Sequence, residues 1–200
     1  MMIINNILYT FSSDNVIKYS EIPIYVDPNL YNKKLKDEYY LKRGNFSTFG
    51  NKIIINSKKT IAINKNINTN INNTFSSYLT PNNNDDCGLI FGLNNLNGTL
   101  FTKDNYFIFI IDKNGYLIMS KIFNGIYNEI FKKKDEEIYK KYDKRNTYKI
   151  TIKFIPYIGK IITSINDIII FDIFDNSFNG GFVGLNSLGN GTVFSQIIVE

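Results

Sequence analysis

The sequence contains 200 residues with a formal net charge of +5, and it has no His, no Trp and one Cys. The absence of His excludes the usual His-centred acid–base catalysis and most zinc sites. The lone Cys87 excludes an intramolecular disulfide, and its apolar surroundings predict a small, buried, unreactive thiol.

Charge and hydropathy limit the function further. A nucleic-acid-binding face is usually dense in basic residues, with Arg preferred, whereas the only Arg residues here are Arg43 and Arg145. No apolar run is long enough to span a membrane, and the first residues lack the basic start of a signal peptide. We therefore expect no nucleic-acid partner and no membrane span. We also expect a cytoplasmic location, unless the chain is a fragment of a longer protein.

Residues 1–44 are predicted to form an N-terminal segment that packs on the main domain. Apolar runs at 7–11 and 21–26 are candidate strands. The mixture of Lys, Asp, Glu and Tyr at 31–42 indicates a short helix. No linker separates this segment from residues 45–200, which we expect to form the main domain.

From residue 45 onward, short runs rich in Ile, Tyr and Phe alternate with turns of Asn, Gly and Asp. The turns recur about every 8–12 residues, which is typical of an all-β sandwich or barrel. The predicted strands are 46–49, 52–55, 60–63, 74–80, 87–93, 106–111, 116–122, 125–131, 148–154, 160–165, 168–174, 181–185 and 192–199.

The hydropathy pattern also predicts which strand faces are buried. Residues 87–93 and 106–111 are almost continuously apolar, as expected of central strands covered on both faces. Residues 148–154 alternate instead, with Tyr148 and three further apolar residues on one side and Lys149, Thr151 and Lys153 on the other. One face of that strand should be core and the other exposed.

Residues 87–199 resemble a concanavalin A-like jelly roll of the laminin G-like kind, close to the 3-keto-disaccharide hydrolase-like modules. The resemblance lies in phrases that occur in the family's order: 87–92 (CGLIFG), 104–107 (DNYF), 112–115 (DKNG), 148–154 (YKITIKF), 181–185 (GFVGL) and 194–199 (FSQIIV). It implies a two-sheet antiparallel jelly-roll sandwich, with earlier strands supplied by residues 46–55 and 74–80.

The sequence departs from the enzymes of the family that it resembles in its candidate catalytic residues. Glycosidases of this fold carry a strand of alternating acids, because a pair of carboxylates must flank the scissile bond. No such strand is present: Asp135 and Glu136 are adjacent in sequence, and Asp172 and Asp175 are predicted on an outer hairpin. We therefore predict a non-catalytic recognition module that binds carbohydrate or glycoconjugate. The alternative is a protein-interaction or structural domain that keeps the fold without a sugar site.

Two places are candidates for ligand binding. The first is the concave face of the sandwich, where outward tyrosines of the middle strands can line a groove. The second is the loop rim, whose amides and carboxylate can hydrogen-bond sugar hydroxyls. The candidate residues are Tyr106, Tyr116 and Tyr127 on the face, and Asn94, Asn95, Asn97, Asp104 and Asn105 on the rim.

No cofactor is expected, apart from a structural Ca²⁺ of the kind found in some laminin G-like relatives. Ca²⁺ requires several oxygen ligands, and Asp85, Asp86 and Asp104 are candidates expected at one end of the sandwich. The lysine face at Lys149 and Lys153, with the charged segment at 132–145, is a candidate contact for an acidic partner or glycan, although a solvated face has the same pattern.

Overall fold

The computed structural model of the chain describes residues 2–4, 7–12, 15–21, 34–68, 73–82, 85–96, 104–136, 146–177 and 180–199. In chain order the strands are β1 (Met2–Ile4), β2 (Ile7–Ser12), β3 (Asn15–Glu21), β4 (Tyr39–Arg43), β5 (Phe46–Phe49), β6 (Lys52–Ile55), β7 (Thr60–Asn68), β8 (Asn73–Thr80), β9 (Cys87–Leu93), β10 (Tyr106–Ile111), β11 (Tyr116–Phe123), β12 (Ile126–Lys134), β13 (Tyr148–Ile155), β14 (Lys160–Ile165), β15 (Ile168–Phe174), β16 (Phe182–Ser187) and β17 (Val193–Val199). A helical turn at 34–37 precedes β4, and a 3₁₀ turn at Pro156–Ile158 follows β13. Within these ranges, no helix has the length and hydropathy to cross a membrane.

Two antiparallel sheets of seven strands each pack face to face. Sheet I has the order β12-β11-β10-β9-β16-β7-β4, and sheet II has the order β15-β14-β13-β8-β17-β6-β5. A separate three-stranded sheet has the order β1-β2-β3. The two large sheets form the sandwich that the turn spacing and the motif order predicted.

Strand positions agree closely with the sequence prediction. Six strands, β5, β6, β9, β10, β14 and β15, have the predicted bounds, and most of the others differ by a few residues at one or both ends. The largest difference is β7, which was predicted to stop at Ile63 because Asn and Lys follow. It continues because Tyr39 pairs with Asn64 and Phe182 pairs with Asn68. Pairing with neighbouring strands therefore outweighs the low β-propensity of these residues.

The sandwich begins earlier in the chain than predicted. β4 lies within the segment assigned to 1–44, yet it pairs with β7 as the edge strand of sheet I, and Tyr39 packs in the core. Within the described residues, the helix predicted at 31–42 is a single turn at 34–37, because residues 39–43 are drawn into the sheet. Of the strand predicted at 21–26, only Glu21 is described, at the end of β3.

The core between the sheets is built largely from phenylalanine. Phe91 of β9 stacks on Phe107 of β10, with ring centroids 5.3 Å apart, and meets Phe154 of β13 edge-on at 6.2 Å. Phe109 meets Phe171 of β15 edge-on at 5.9 Å. Because the last two contacts join sheet I to sheet II, the aromatic rings fix the spacing of the two sheets.

The predicted burial patterns are confirmed. Every residue of β9 is buried, so this central strand is covered on both faces. In β13, Tyr148, Ile150, Ile152 and Phe154 are buried, whereas Lys153 is exposed. The turn between β14 and β15 has positive φ angles of 50° at Asn166 and 66° at Asp167, the geometry of a tight two-residue hairpin.

A β-bulge divides the edge strand β12. Its pairing with β11 shifts by one residue between Met119 and Ser120: Ser120 pairs with Glu129, but Met119 pairs with Phe131. Phe131 therefore points toward sheet II, where it stacks on Phe171 with centroids 5.7 Å apart. Lys132, the next residue, points to the opposite side.

Candidate functional site

The three predicted tyrosines lie on one face of sheet I. We call this the outer face, because it points away from sheet II. Tyr106 pairs with Ile122, which in turn pairs with Tyr127, so these side chains form one cross-strand row. Tyr116 lies on the same side of β11 as Ile122, six residues earlier in the strand. The structure thus brings Tyr106, Tyr116 and Tyr127 to the same surface, but in different surroundings.

Much of the outer face is an apolar cluster that solvent does not reach. We call this part the closed half. Tyr106 is 7% exposed there and packs among aliphatic side chains from four strands. The buried members of the closed half are Ile63, Ile90, Leu93, Tyr106, Ile108 and Ile122. Tyr106 therefore acts as a packing residue in this structure, and its ring is not presented to a ligand.

A buried ion pair lies over the closed half. Lys42 Nζ of β4 is 2.6 Å from Asp104 Oδ2, and the two side chains are 2% and 3% exposed. Three strands separate β4 from β10, so their backbones would lie roughly 19 Å apart in a flat sheet. The contact therefore lies over the outer face, above the intervening strands. Asp104, a predicted rim residue, is thus engaged within the protein.

The same carboxylate affects its neighbour Tyr106. Burial, reinforced by the negative charge of Asp104, raises the pKa of Tyr106 to about 12. The phenol therefore stays neutral at physiological pH. Neither Tyr106 nor Asp104 has the exposure expected of a ligand-binding group.

The rest of the outer face is open to solvent at β11 and β12. Tyr127 is 54% exposed, and its hydroxyl accepts a 2.6 Å hydrogen bond from Ser120 Oγ. Glu129, which pairs with Ser120, is exposed on the same side of β12, and Lys132 and Lys134 follow after the bulge. We call Tyr116, Tyr127, Glu129, Lys132 and Lys134 the open strip.

Tyr116 and Lys132 contact each other within the open strip. The Lys132 ammonium lies 4.6 Å from the centroid of the Tyr116 ring, a cation–π distance. Tyr116 is half-buried, so its ring supports the lysine. Sequence reasoning found the two tyrosines but missed Glu129 and Lys132. Alternation from Tyr127 could have found Glu129, whereas Lys132 lies beyond the predicted end of the strand at Phe131 and after a bulge that was not foreseen.

The rim asparagines mostly hold the loops together. Asn94 Oδ1 accepts a 2.9 Å hydrogen bond from the Asn105 backbone N–H. Asn105 Oδ1 accepts a 2.7 Å bond from the N–H of Asn124 in the β11–β12 turn. Asn95 is exposed beside them, and Asn97 lies outside the described residues. The rim is therefore a hydrogen-bonded network that joins two hairpins of sheet I.

The three aspartates considered for Ca²⁺ do not share one end of the sandwich. Asp86 directly precedes β9, whereas Asp104 precedes β10, which runs antiparallel to β9. The two residues therefore lie at opposite ends of β9, and the prediction of a common end is wrong. Asp86 Oδ1 accepts a 3.0 Å hydrogen bond from the Lys113 N–H. Within the described ranges, no cluster of three or more Asp, Glu or Cys side chains is arranged to hold a metal.

The lysine face of sheet II is present as predicted. Lys149 Nζ lies 2.7 Å from Asp167 Oδ1, so this charge is partly neutralised, whereas Lys153 is exposed. Lysines 149 and 153 flank Thr151, which pairs with Ser76 and Ser164 on the neighbouring strands. Of the charged segment at 132–145, residues 137–145 lie outside the described part of the chain.

The described carboxylates are largely engaged in structural contacts. Asp172 pairs with Lys160 at 3.2 Å, and Asp175 pairs with Lys121 at 2.9 Å. Partial burial acts to raise the pKa of Asp175, but hydrogen bonds from Lys121 and Ser177 outweigh it, and the pKa lies below its usual value. β12 contributes one carboxylate, Glu129, to the open strip. A single acid does not supply the flanking pair that glycoside hydrolysis requires.

Comparison with solved structures identifies the fold. Carbohydrate-binding module CBM66 from Bacillus subtilis superimposes with a TM-score of 0.65 at 18% identity, over 82% of this chain and 95% of that one. A legume lectin-like domain from Entamoeba histolytica has a TM-score of 0.60 at 16% identity, over 84% and 92%. A glycosidic hydrolase has a TM-score of 0.56 at 9% identity, over 82% and 89%.

No protein-family model and no curated protein matches the chain. At these sequence identities the structural likeness shows a shared fold alone. The chain has the concanavalin A-like jelly-roll fold, which confirms the fold that the motif resemblance implied. The similar structures are mostly carbohydrate-binding modules and lectin-like folds, with a hydrolase among them.

Proposed function

We propose that this chain is a non-catalytic recognition module that binds carbohydrate or glycoconjugate through the open strip. The observation that carries the proposal is the exposed Tyr127 ring, which lies on the sheet face beside Glu129 and Lys132. The fold shared with a carbohydrate-binding module and a legume lectin-like domain supports it. Each element of the strip has a role in sugar recognition.

The Tyr127 ring is the stacking platform in this proposal. The apolar face of a sugar ring packs well on an aromatic face, and Tyr can take this role in a chain without Trp. The hydrogen bond from Ser120 holds the phenol in place, which reduces the entropy lost on binding. Glu129 can accept hydrogen bonds from sugar hydroxyls, while Lys132 and Lys134 can donate them.

The proposal gives the other predicted residues lesser roles. Tyr106 and Asp104 support the surface from within the closed half and do not touch the ligand. Asn94 and Asn105 hold the rim, and Asn95 and Asn97 are proposed to extend the contact surface for a longer glycan. Tyr116 supports Lys132.

A glycan array tests the proposal with Tyr127→Ala and a matched control. Tyr157 is also an exposed tyrosine, at 76%, but it lies in the 3₁₀ turn after β13. Loss of one aromatic stacking contact should weaken binding about threefold to tenfold for Tyr127→Ala. Tyr157→Ala should bind like the wild type. Absence of any glycan signal, or equal binding by both variants, would contradict the proposal.

The second candidate function is a protein-interaction or structural domain. It is favoured by the open edge of the sandwich, where edge strands β12 and β15 leave large apolar side chains exposed. Ile168, Ile169 and Phe174 of β15 are 66%, 62% and 68% exposed, and Ile126 of β12 is 64% exposed. Exposed, unpaired edge strands of this kind are templates for pairing with another chain.

Introducing charge at this edge separates the two functions. The double variant Ile168→Lys with Ile169→Lys should retain glycan binding if the open strip is the site. If the chain is a protein-interaction domain, the wild type should capture a defined protein that the double variant does not, and no glycan should bind. Both candidate functions are non-catalytic, so any release of reducing sugar from a polysaccharide would contradict both of them.

A further inference from the structure

We infer that the glycan bound by the open strip carries a negative charge, such as a uronate carboxylate, and that Lys132 recognises it. This inference rests on the proposed function and names its ligand class. It is drawn from one unusual property of Lys132. This ammonium is held in a fixed position but is not neutralised by a carboxylate within the described ranges.

Three described lysines lie over aromatic rings, and Lys132 differs from the other two. Lys121 lies 5.8 Å from the Phe123 centroid and also pairs with Asp175 at 2.9 Å. Lys160 lies 5.4 Å from the Phe174 centroid and also pairs with Asp172 at 3.2 Å. For Lys132 the ring distance is shorter, 4.6 Å, and the described part of the chain supplies no carboxylate partner.

A positioned, uncompensated cation is well suited to bind an anion. An aromatic ring attracts an ammonium group through its quadrupole but leaves the positive charge in place. The contact with Tyr116 restricts the lysine side chain, so less conformational entropy is lost when a ligand binds. A ligand carboxylate at this point would form a charge-assisted hydrogen bond, which is stronger than a neutral one.

The order of residues along β12 gives the ligand a direction. Tyr127, Glu129 and Lys132 lie on one side of the strand, with the bulge between Glu129 and Lys132. At about 3.3 Å per residue, the strip from Tyr127 to Lys132 is roughly 15 Å long, enough for several sugar rings. The uncharged part of the glycan would stack at Tyr127, and its anionic group would lie at Lys132, away from Glu129.

The test compares glycans that differ only in charge. Polygalacturonate is titrated beside its full methyl ester, and sialyllactose beside lactose, with binding followed by calorimetry. The anionic member of a pair should bind at least about fivefold tighter. Raising the salt concentration from about 0.05 M to about 0.5 M should remove most of that preference, because the strip is exposed to solvent.

Variants assign the preference to Lys132. Lys132→Ala should bind both members of a pair alike, and so should Tyr116→Leu, which removes the ring. Tyr116→Phe keeps the ring and should keep the preference. Lys52→Ala is the control, because Lys52 is an exposed lysine of β6 in sheet II. Circular dichroism of each variant confirms that it is folded.

The outcomes separate this inference from the proposed function. Equal, salt-insensitive binding of charged and neutral glycans would overturn the inference while leaving glycan binding intact. Binding of no glycan, on these pairs or on the array, would overturn the proposed function. If Lys132 only protects the edge strand from aggregation, Lys132→Ala will self-associate and still prefer the anionic glycan, which would also overturn the inference.

Discussion

Lys42 and Asp104 form a buried ion pair across the outer face of sheet I, with 2.6 Å between Nζ and Oδ2. The two residues are 62 positions apart in the sequence. The pair joins the edge strand β4 to the residues that lead into β10. Because both side chains are almost fully buried, each charge depends on the other for its stability.

Breaking this pair on one side should be costly. Asp104→Leu or Lys42→Met removes one charge of this buried pair, and we expect each to lower the free energy of unfolding by about 3–5 kcal/mol. The double variant Lys42→Met with Asp104→Leu should recover most of that loss, since apolar side chains suit the neighbouring cluster. Urea denaturation of all four proteins provides the double-mutant cycle. If the double variant lost as much stability as the two single variants together, the two side chains would not be coupled.

Gly88→Ala should disrupt the centre of sheet I. A Cβ atom at Gly88 would overlap the Phe109 carbonyl oxygen in β10, and backbone cannot move aside cheaply. We expect a loss of more than about 3 kcal/mol, or failure to fold. Gly50→Asn is the control, because Gly50 has open space around it and Asn tolerates its φ of +57°. Thermal unfolding with similar midpoints for the two variants would count against this reading of β9.

Tyr106 should make the protein sensitive to high pH. Its pKa rises from 10.0 to about 12 on folding, so the unfolded chain releases the phenolic proton first. The contribution to stability is therefore complete below pH 10 and is lost as the pH rises toward 12. With allowance for solvent screening, we expect the wild type to lose roughly 1–2 kcal/mol more of its free energy of unfolding between pH 10 and pH 12 than Tyr106→Phe loses. The exposed Tyr157→Phe should follow the wild type in the same alkaline titration.

Asp175 should contribute sensitivity in the opposite pH range. Its pKa is lowered on folding, so its contribution is present above the usual Asp pKa and is lost as the pH falls through the lower folded value. Its bond to Lys121 ties β11 of sheet I to the end of β15 in sheet II. We expect Asp175→Asn to be less stable near neutral pH and to lose less stability on acidification. Asp167→Asn, at an exposed ion pair, is the control and should change the pH dependence of stability little. Parallel acid denaturation curves for wild type and Asp175→Asn would be inconsistent with this account.

The strand positions could be predicted because local signals specify them. Turn residues such as Asn166 and Asp167 adopt the positive φ angles that a tight hairpin needs, and the alternation in β13 marks its buried face. These signals act within a few residues of each other. β4 and the second half of β7 carry weaker signals. β4 is a strand because it pairs with residues 61–64 of β7, and β7 continues to Asn68, which pairs with Phe182 of β16.

The candidate site was less predictable because it depends on distant contacts. Tyr106, Tyr116 and Tyr127 were placed on one face by alternation, but alternation does not reveal that Tyr106 lies within an apolar cluster. The engagement of Asp104 by Lys42 has no local sequence signal. Lys132 could not be placed because the bulge changes the side of the sheet on which later residues lie, whereas Glu129 precedes the bulge and follows from the alternation that placed Tyr127.

The bulge in β12 shifts the alternation of inward-facing and outward-facing side chains along the strand by one residue. If the same sequence paired with β11 without a bulge, Phe131 would lie opposite Ile118 and point outward, and Lys132 would lie opposite Leu117 and point toward sheet II. The Phe131–Phe171 stack and the Lys132–Tyr116 contact would then both be lost. The bulge at Ile130 thus brings Phe131 against Phe171 and Lys132 against Tyr116 at the same time. If Ile130 were deleted, Phe131 would follow Glu129 directly and would still pair with Met119, so we expect both contacts to survive in a regular β12.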